Sequence, residues 1–268
     1  VIISTLKKFP ELNKAIKIYL YEKSLFLKKL QKQNIDNKQI KWIKNFNSIK
    51  KGPVIFFGNE FFDAIPIKQF SNINNELFEK CYSVKDNISI NEKFIRSNKK
   101  DLTQINTFGT LKKLKFIEFP KKGLIELNPI IKKINKLSGG ILLIDYGYLN
   151  SNNSNTIQAV MGNKKISTET MLKNLGKADI TSLVNFNLLK EYFLKNNLKV
   201  KKVVTQRFFL ERMGIIERAK ILQKKKTNKE LKYMKETLSR LLEEKQMGSL
   251  FKVIFGYKNK NNNFFGFE

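Results

Sequence analysis

The stretch that decides the fold class is Pro-Val-Ile-Phe-Phe-Gly-Asn-Glu-Phe-Phe-Asp-Ala-Ile-Pro, residues 53–66. Its first six residues form an uninterrupted apolar run, which is typical of a strand buried on both faces of a parallel sheet. A second run of this kind, Gly140 to Asp145, follows a Ser-Gly-Gly break. Because helical patterns separate the two runs, the sequence predicts an open α/β sheet whose strands are joined by crossover helices.

The flanking periodicity extends this alternation in both directions. The predicted strands are Ile16–Tyr21, Ile40–Ile43, Lys199–Thr205 and Ser249–Tyr257, and the predicted helices are Leu25–Gln33, Asn128–Leu137, Asn185–Asn196 and Glu230–Lys245. Residues 67–96 alternate weakly around polar turns at 72–75 and Asp86-Asn87, which predicts an antiparallel hairpin insertion. We therefore expect one domain over residues 1–258, followed by a frayed, Asn-rich tail over 259–268.

The composition excludes several kinds of catalytic centre. With no histidine among its 268 residues, the chain can hold neither a Ser-His-Asp or Cys-His nucleophile system nor a histidine-ligated metal. Cys81 is the only cysteine, so an internal disulfide and a cysteine-rich zinc site are excluded too. We therefore expect a protein of a reducing compartment, with no metal site, whose chemistry comes from carboxylates, amides, hydroxyls or a bound cofactor.

The charge balance is strongly basic, with 52 Lys and Arg residues against 23 Asp and Glu and a net charge of +29. Such a field attracts nucleic acids and anionic surfaces. The lysines are scattered, however, and the chain is also rich in Asn and Ile, so compositional drift in an AT-rich bacterium is the other explanation. Charge alone does not decide between them. No membrane span is predicted, because the longest apolar runs fall far short of ~18 residues.

Carboxylates follow three of the predicted strands, at the sheet edge where α/β proteins bind ligands. Glu22 follows the first strand; it is either a ligand for a ribose diol or a solvated strand end. Glu60 and Asp63 follow the buried strand and Asp145 ends the Gly-Gly strand. The alternative is that residues 59, 60 and 63 form a turn and cap a following helix.

The string Asn-Glu-Phe-Phe-Asp-Ala-Ile-Pro-Ile-Lys-Gln-Phe, residues 59–70, resembles the signature of the MidA-like methyltransferases. This family includes the mitochondrial complex I assembly-factor arginine methyltransferase and many bacterial members. Further matches follow in the same order at residues 139–148, 156–160, 178–186, 205–215 and 247–253. The resemblance covers the chain from about Phe9 to Gly256.

The resemblance implies a class I fold with a Rossmann-like sheet that binds S-adenosyl-L-methionine. By this likeness Glu22 holds the cofactor ribose and Trp42 lies on the adenine side. Asn59 and Glu60 end the fourth strand, where methyl donor and acceptor meet. The family's Gly-rich cofactor loop does not occur in this sequence, and we expect it, with the first strand, just upstream of Val1. Asn163 stands where the family often has histidine.

The resemblance also implies a protein substrate that is methylated on arginine, with a respiratory complex I subunit as one candidate, and it leaves room for a homodimer. Carboxylates suit a guanidinium because they orient its planar fork and offset its charge. Glu60 and Asp63 are the predicted clamp, with Asp145 third. Phe61, Phe62 and Tyr146 either wall this site or belong to the core.

The sequence is also compatible with two other functions. One is a nucleic-acid methyltransferase, although the Asn-Pro-Pro-Tyr type of string is absent and no basic helix with interleaved aromatics occurs, so nucleic acid is not the expected partner. The other is a catalytically silent protein that keeps the fold and binds a partner. The expected location is the bacterial cytoplasm, with the mitochondrial matrix as the alternative.

Overall fold

The computed structural model describes residues 2–35, 39–74, 76–85, 89–150, 152–224, 226–260 and 262–268. They form two compact units, residues 1–51 and 52–268. The helices are α1 Ile2–Leu6, α2 Pro10–Ala15, α3 Leu25–Asn34, α4 Lys99–Asn106, α5 Gly109–Lys112, α6 Lys121–Leu137, α7 Thr168–Lys173, α8 Phe186–Lys195, α9 Gln206–Arg212, α10 Ile215–Gln223 and α11 Asn228–Leu242. The strands are β1 Ile18–Tyr21, β2 Ile40–Ile43, β3 Val54–Asn59, β4 Lys68–Ile73, β5 Glu76–Lys85, β6 Ser89–Arg96, β7 Phe116–Phe119, β8 Gly139–Tyr148, β9 Gln158–Met161, β10 Lys164–Ile166, β11 Asp179–Thr181, β12 Val184–Asn185, β13 Lys199–Val200, β14 Val204–Thr205 and β15 Phe251–Lys258.

The first unit contains two parallel strands joined by a helix. β1 pairs with β2 in parallel, with Leu20 opposite Trp42. The helix between them, α3, begins after Ser24, whose hydroxyl accepts a hydrogen bond from the Leu27 amide at 3.2 Å and so satisfies a free N–H of the first turn. β1 begins two residues later than predicted, whereas β2 has the predicted bounds.

The second unit is built on β8, which has neighbours along both edges. β3 pairs with it in parallel and β15 pairs with it antiparallel on the other edge. β12 continues the parallel edge at Gly147 and Tyr148. β12 approaches β8 so closely here that residue 147 must be glycine, since a Cβ on Gly147 would lie 2.1 Å from the Val184 carbonyl oxygen. The predicted α/β sheet is therefore confirmed.

β3 differs from the prediction in its burial. Val54 is buried, but Ile55 and Phe57 are 70% and 59% exposed. Successive side chains of a strand point to opposite faces, so the residues that alternate with Val54 lie on an open face. β8 meets the expectation better, because Ile141 and Leu143 on one face and Ile144 on the other are all buried. An apolar run alone does not distinguish these two environments.

The predicted hairpin insertion is confirmed and is larger than expected. β4, β5, β6 and β7 form an antiparallel sheet in the order β6-β5-β4-β7, with α4 and α5 between the last two strands in sequence. Of the predicted turns, residue 75 and Asp86-Asn87 lie outside the described residues. Another two-residue hairpin, Gly162-Asn163 between β9 and β10, has both residues at positive φ, as type I′ turns require. Asn163 is thus a turn residue.

The C-terminal part contains the expected helices and closing strand. The segment predicted as one strand over Lys199–Thr205 forms two short strands, β13 and β14, which both pair with β15. Residues 259–268, expected to fray, contribute the rings of Phe264 and Phe267, which lie 4.9 and 5.9 Å from the Phe255 ring. Within the described ranges, no helix has the length and apolar character that crossing a membrane demands.

Candidate active site

The segment after β3 forms a turn, not the helix that the capping alternative required. Asp145 does not end its strand as expected, because β8 continues to Tyr148; it lies beneath this turn and is 1% exposed. Its Oδ2 accepts hydrogen bonds from the Phe62 amide at 2.8 Å and the Asp63 amide at 3.3 Å. Its Oδ1 accepts from the Tyr146 amide at 3.0 Å. The carboxylate therefore holds the backbone of residues 62–63 in place.

Burial, and to a smaller extent the nearby Asp63 carboxylate, raise the pKa of Asp145 to about 7, against the opposing effect of the three amide donors. Lys252 lies directly opposite on β15, but its ammonium donates to the Ser249 carbonyl. Among the described residues Asp145 therefore has amide donors but no ion pair.

Asp63 is a second buried carboxylate of the turn, 5% exposed. Burial raises its pKa, against the hydrogen bond that the Ala64 amide donates at 2.8 Å. The Tyr146 hydroxyl interacts with this carboxylate and with Thr181. The Asp63 carbonyl in turn accepts from the Ser182 amide at 3.1 Å. These contacts connect the turn to the segment before β12.

Glu60 is the carboxylate of this group that faces solvent. Its backbone is in the left-handed region, with φ of 49°, and its amide donates to the Ile144 carbonyl at 2.9 Å. The Asn59 amide group donates to Glu60 Oε1 at 3.2 Å. A non-glycine residue in this region is strained, and such strain is common at functional sites. The structure thus brings Asn59, Glu60, Asp63 and Asp145 together, and of these three carboxylates only Glu60 is exposed to solvent.

The two predicted residues of the first unit are connected through a third that the sequence analysis missed. Glu22 is half-buried; its Oε1 accepts from the Ser24 amide at 2.8 Å and its Oε2 accepts from Gln31 Nε2 at 3.2 Å. Gln31 Oε1 accepts from Trp42 Nε1 at 3.0 Å. Each Glu22 oxygen keeps a lone pair for a further donor. The group could therefore accept hydrogen bonds from vicinal hydroxyls such as those of a ribose.

The sequence analysis also missed a buried carboxylate of the insertion, Glu118 on β7, which is 7% exposed. Its Oε1 accepts from Gln69 Nε2 at 2.8 Å and from the Thr156 amide at 2.9 Å, and its Oε2 accepts from the Thr156 hydroxyl. The Thr156 hydroxyl accepts from the Leu183 amide at 3.0 Å. The alternation of β7 was too short to mark Glu118 as inward-facing. Its network supports the segment that also contacts Asp63.

The phenylalanines after Asn59 have different environments. Phe62 is 3% exposed and its ring covers Gly123 of α6, where a Cβ would lie 2.5 Å from the ring. Phe61 is half-buried, with its ring 6.5 Å from that of Phe62. Phe62 is thus a core residue that anchors the turn, while Phe61 and Tyr146 remain partly accessible.

Comparison with known proteins identifies the family. The sequence profile of a family described as S-adenosyl-L-methionine-dependent methyltransferases matches residues 1–204. A mitochondrial protein arginine methyltransferase NDUFAF7 homolog from Caenorhabditis elegans is 29% identical over 91% of this chain and 57% of its own length. The mitochondrial protein arginine methyltransferase NDUFAF7 from Danio rerio is 25% identical over 68% of this chain and 42% of its own length. The chain therefore spans about half the length of these curated relatives.

A solved structure shows the same fold. It comes from Burkholderia thailandensis and is bound to S-adenosyl-homocysteine; it superposes with a TM-score of 0.76 at 17% identity, over 94% of this chain and 66% of that one. The profile match covers well over half of the chain, in the region that contains the Glu22 group and the turn above Asp145. The chain belongs to the MidA-like family of S-adenosyl-L-methionine-dependent methyltransferases.

Proposed function

We propose that this chain carries the catalytic part of an S-adenosyl-L-methionine-dependent methyltransferase that acts on arginine in a protein substrate. The observation that carries the proposal is the exposed Glu60 carboxylate, held in a strained backbone conformation at the carboxyl end of β3. The names of the relatives from Caenorhabditis elegans and Danio rerio support arginine as the acceptor.

The proposed role of Glu60 is to bind and align the guanidinium. A carboxylate accepts two N–H bonds from the planar fork and offsets its charge while one nitrogen loses a proton. Bound S-adenosyl-L-methionine supplies an electrophilic methyl group. Asn59 orients Glu60 through its 3.2 Å hydrogen bond. Because Asp63 and Asp145 are already bound to backbone amides, their proposed role is to position the turn.

The proposed cofactor residues of the first unit are Glu22, for the ribose hydroxyls, and Trp42, for the adenine side. Their test is calorimetric titration of S-adenosyl-homocysteine into the complete protein that carries this chain. Glu22→Gln should weaken binding about tenfold, since a charge-assisted hydrogen bond contributes about 1.5 kcal/mol. The control Glu11→Gln changes an exposed carboxylate of α2 and should have no effect. Equal affinities for all three proteins would refute the assignment.

The reaction is tested with radiolabelled S-adenosyl-L-methionine and a heat-treated protein extract, followed by acid hydrolysis and separation of methylated amino acids. Glu60→Gln should lower the rate about a hundredfold, whereas Glu236→Gln, at an exposed position of α11, should not. Label in methylarginine supports the proposal. Label in methyllysine or nucleic acid, or an unchanged rate for Glu60→Gln, contradicts it.

The partner and location are proposed from the resemblance alone. The proposed substrate is a protein, with a respiratory complex I subunit as the candidate, and a homodimer is the proposed oligomeric form. The proposed location is the bacterial cytoplasm or, as for the named relatives, the mitochondrion. Sedimentation analysis of the complete protein tests the dimer: a single monomeric species at micromolar concentration would exclude it.

A further inference from the structure

A cleft in the second unit has no role in the chemistry described above. It has a volume of about 590 Å³ and lies between α5, α8 and the loop that follows β8. This size is within the range of ligand-binding clefts in proteins. Its polar side chains include Thr110, Lys113, Asn150, Asn153, Asn187 and Lys190.

The unpaired charge of this cleft is positive. Glu191 is its carboxylate, and it already accepts hydrogen bonds from the Gly109 amide at 2.8 Å, the Thr110 amide at 2.9 Å and the Thr110 hydroxyl at 2.6 Å. Lys113 and Lys190 are exposed and form no ion pair with any residue of the described ranges. Two ammonium groups are therefore available to an anionic ligand.

The asparagines of the cleft offer hydrogen-bonding groups that match a peptide backbone. Asn187 Nδ2 donates to the Leu149 carbonyl, and Asn153 Oδ1 accepts from the Lys115 amide at 2.8 Å. The Asn187 oxygen and the Asn153 amino group remain available, as does the whole side chain of exposed Asn150. A side-chain amide presents one acceptor and two donors, which pair with the N–H and C=O of a polypeptide.

The cleft lies at the same end of β8 as the Glu60 turn. Asn185 pairs with Tyr148 at this end of the strand. Its side chain lines the cleft and also a smaller cavity beside Phe62 and Ser182. We propose that the cleft binds an acidic segment of a polypeptide, with Lys113 and Lys190 contacting its carboxylates. That this polypeptide is the methylation substrate rests on the proposed function; the binding itself does not.

The lining favours a polypeptide over a nucleic acid. Single-stranded nucleic acids are bound by stacking their bases on aromatic side chains beside a basic groove. No aromatic ring belongs to the lining that the described residues form. Leu114, Leu149 and Leu194 supply its apolar surface instead, which suits aliphatic parts of a peptide.

The test is fluorescence anisotropy with a short fluorescein-labelled peptide of alternating glutamate and glycine. The double variant Lys113→Glu and Lys190→Glu should bind it about tenfold more weakly, as expected for the loss and reversal of two charge contacts. The matched control, Lys232→Glu and Lys235→Glu, makes the same charge change at exposed positions of α11 and should change affinity less than about twofold. Circular dichroism confirms that both variants fold.

Three outcomes would overturn the proposal: no binding of the acidic peptide, equal weakening by both double variants, or tighter binding of an oligouridylate that only the cleft variant loses. The second result indicates long-range attraction by the net charge, and the third a nucleic-acid site. The assay contains no cofactor and involves no methyl transfer. Its failure therefore leaves the proposed methyl transfer untouched. An unchanged methylation rate for Glu60→Gln, which would contradict the proposed function, likewise leaves the peptide cleft untouched.

Discussion

The side chains of Asp101 and Asp145 are both shielded from solvent, yet their pKa values are shifted in opposite directions. Asp101, on α4, is fully buried; its Oδ2 lies 2.9 Å from Lys68 Nζ and its Oδ1 contacts Lys121 Nζ. Burial raises its pKa, but the two lysines outweigh burial and hold the pKa at about 2. Burial and the neighbouring Asp63 carboxylate raise the pKa of Asp145 to about 7, because its amide donors offset them only in part.

The difference shows that the charged partners of a buried carboxylate have to be considered together with its burial. A carboxylate paired with two cations stabilises the fold in its ionised form. A carboxylate held only by amides, beside a second carboxylate, has a perturbed pKa of the kind that clusters at functional sites. Asp145 lies beneath the Glu60 turn, whereas Asp101 lies in the insertion. We therefore expect the two groups to give stability profiles of opposite slope with pH.

The largest expected effect is the loss of a pH dependence in Asp145→Asn. The folded-state pKa of Asp145, about 7, is above the unfolded value of about 3.9, so the folded protein binds the proton more tightly. The free energy of unfolding of the wild type should fall by about 4 kcal/mol from this group as pH rises from about 4 to 7. Asparagine has no proton to lose, so this fall should disappear. Urea unfolding across this range measures both profiles.

Asparagine also replaces an acceptor with an amino group facing an N–H of the turn, so the variant should be less stable by about 1–2 kcal/mol at low pH. Wild-type and variant profiles that run parallel between about pH 4 and 7 would contradict the buried titration.

The second effect is a loss of stability in Asp101→Asn at neutral pH. This change leaves Lys121 without its carboxylate, while Lys68 keeps Glu79 at 2.8 Å. Breaking a buried ion pair from one side costs about 3 kcal/mol. The folded-state pKa of about 2 is below the unfolded value of about 3.9, so this contribution is present above about pH 4 and is lost as pH falls to about 2.

Urea unfolding at neutral pH measures this loss. The control is Glu169→Gln, which removes an exposed ion pair with Lys173; we expect no measurable change there, since solvent screens such pairs. If both variants lose the same stability, the Asp101 network has no special role.

The fold was largely predictable because its strongest signals are local. Apolar runs located β3 and β8, and the Asn185 cap located the start of α8, where its side chain accepts from the Leu188 amide at 3.0 Å. The extent of the insertion was not predictable, since the pairing of β7 with β4 joins segments more than forty residues apart. Pairing at such separation leaves no periodic trace in either segment.

The sequence predicted which carboxylates lie together at the candidate site, but not what each of them does there. The strand ends and the resemblance selected Glu60, Asp63 and Asp145, which the structure groups around one turn. Their individual roles depend on which oxygens the backbone amides already occupy, and no sequence pattern encodes that. Gln31 and Glu118 were missed for the same reason, since each acts through side-chain contacts between distant positions.

Glu118 provides an intermediate case, because it accepts hydrogen bonds from neutral donors, Gln69 and Thr156. Glu118→Gln should cost about 1–2 kcal/mol, since one accepting oxygen becomes an amino group that can still reach the Thr156 hydroxyl. Urea unfolding measures the loss. Glu79→Gln, on the neighbouring β5, is the ion-paired control. A loss as large as that of Asp101→Asn would indicate that an unrecognised cation compensates Glu118.

The smallest effect concerns the backbone of Glu60. At a φ of 49°, any residue with a Cβ is strained by about 1 kcal/mol. Glu60→Gly should therefore be more stable than Glu60→Ala by about that amount. At most positions of a fold the alanine variant is the more stable of the two. Both variants should lose methyl transfer, because both lack the carboxylate. Thermal or urea unfolding of the two variants measures this difference in stability. Asn74→Gly and Asn74→Ala are the controls: Asn74 lies between β4 and β5 at a φ of 51°, so they should show the same difference in stability but keep activity. An alanine variant more stable than the glycine variant would show that residue 60 does not adopt the left-handed conformation, and the argument for a strained, solvent-facing carboxylate at the end of β3 would fail with it.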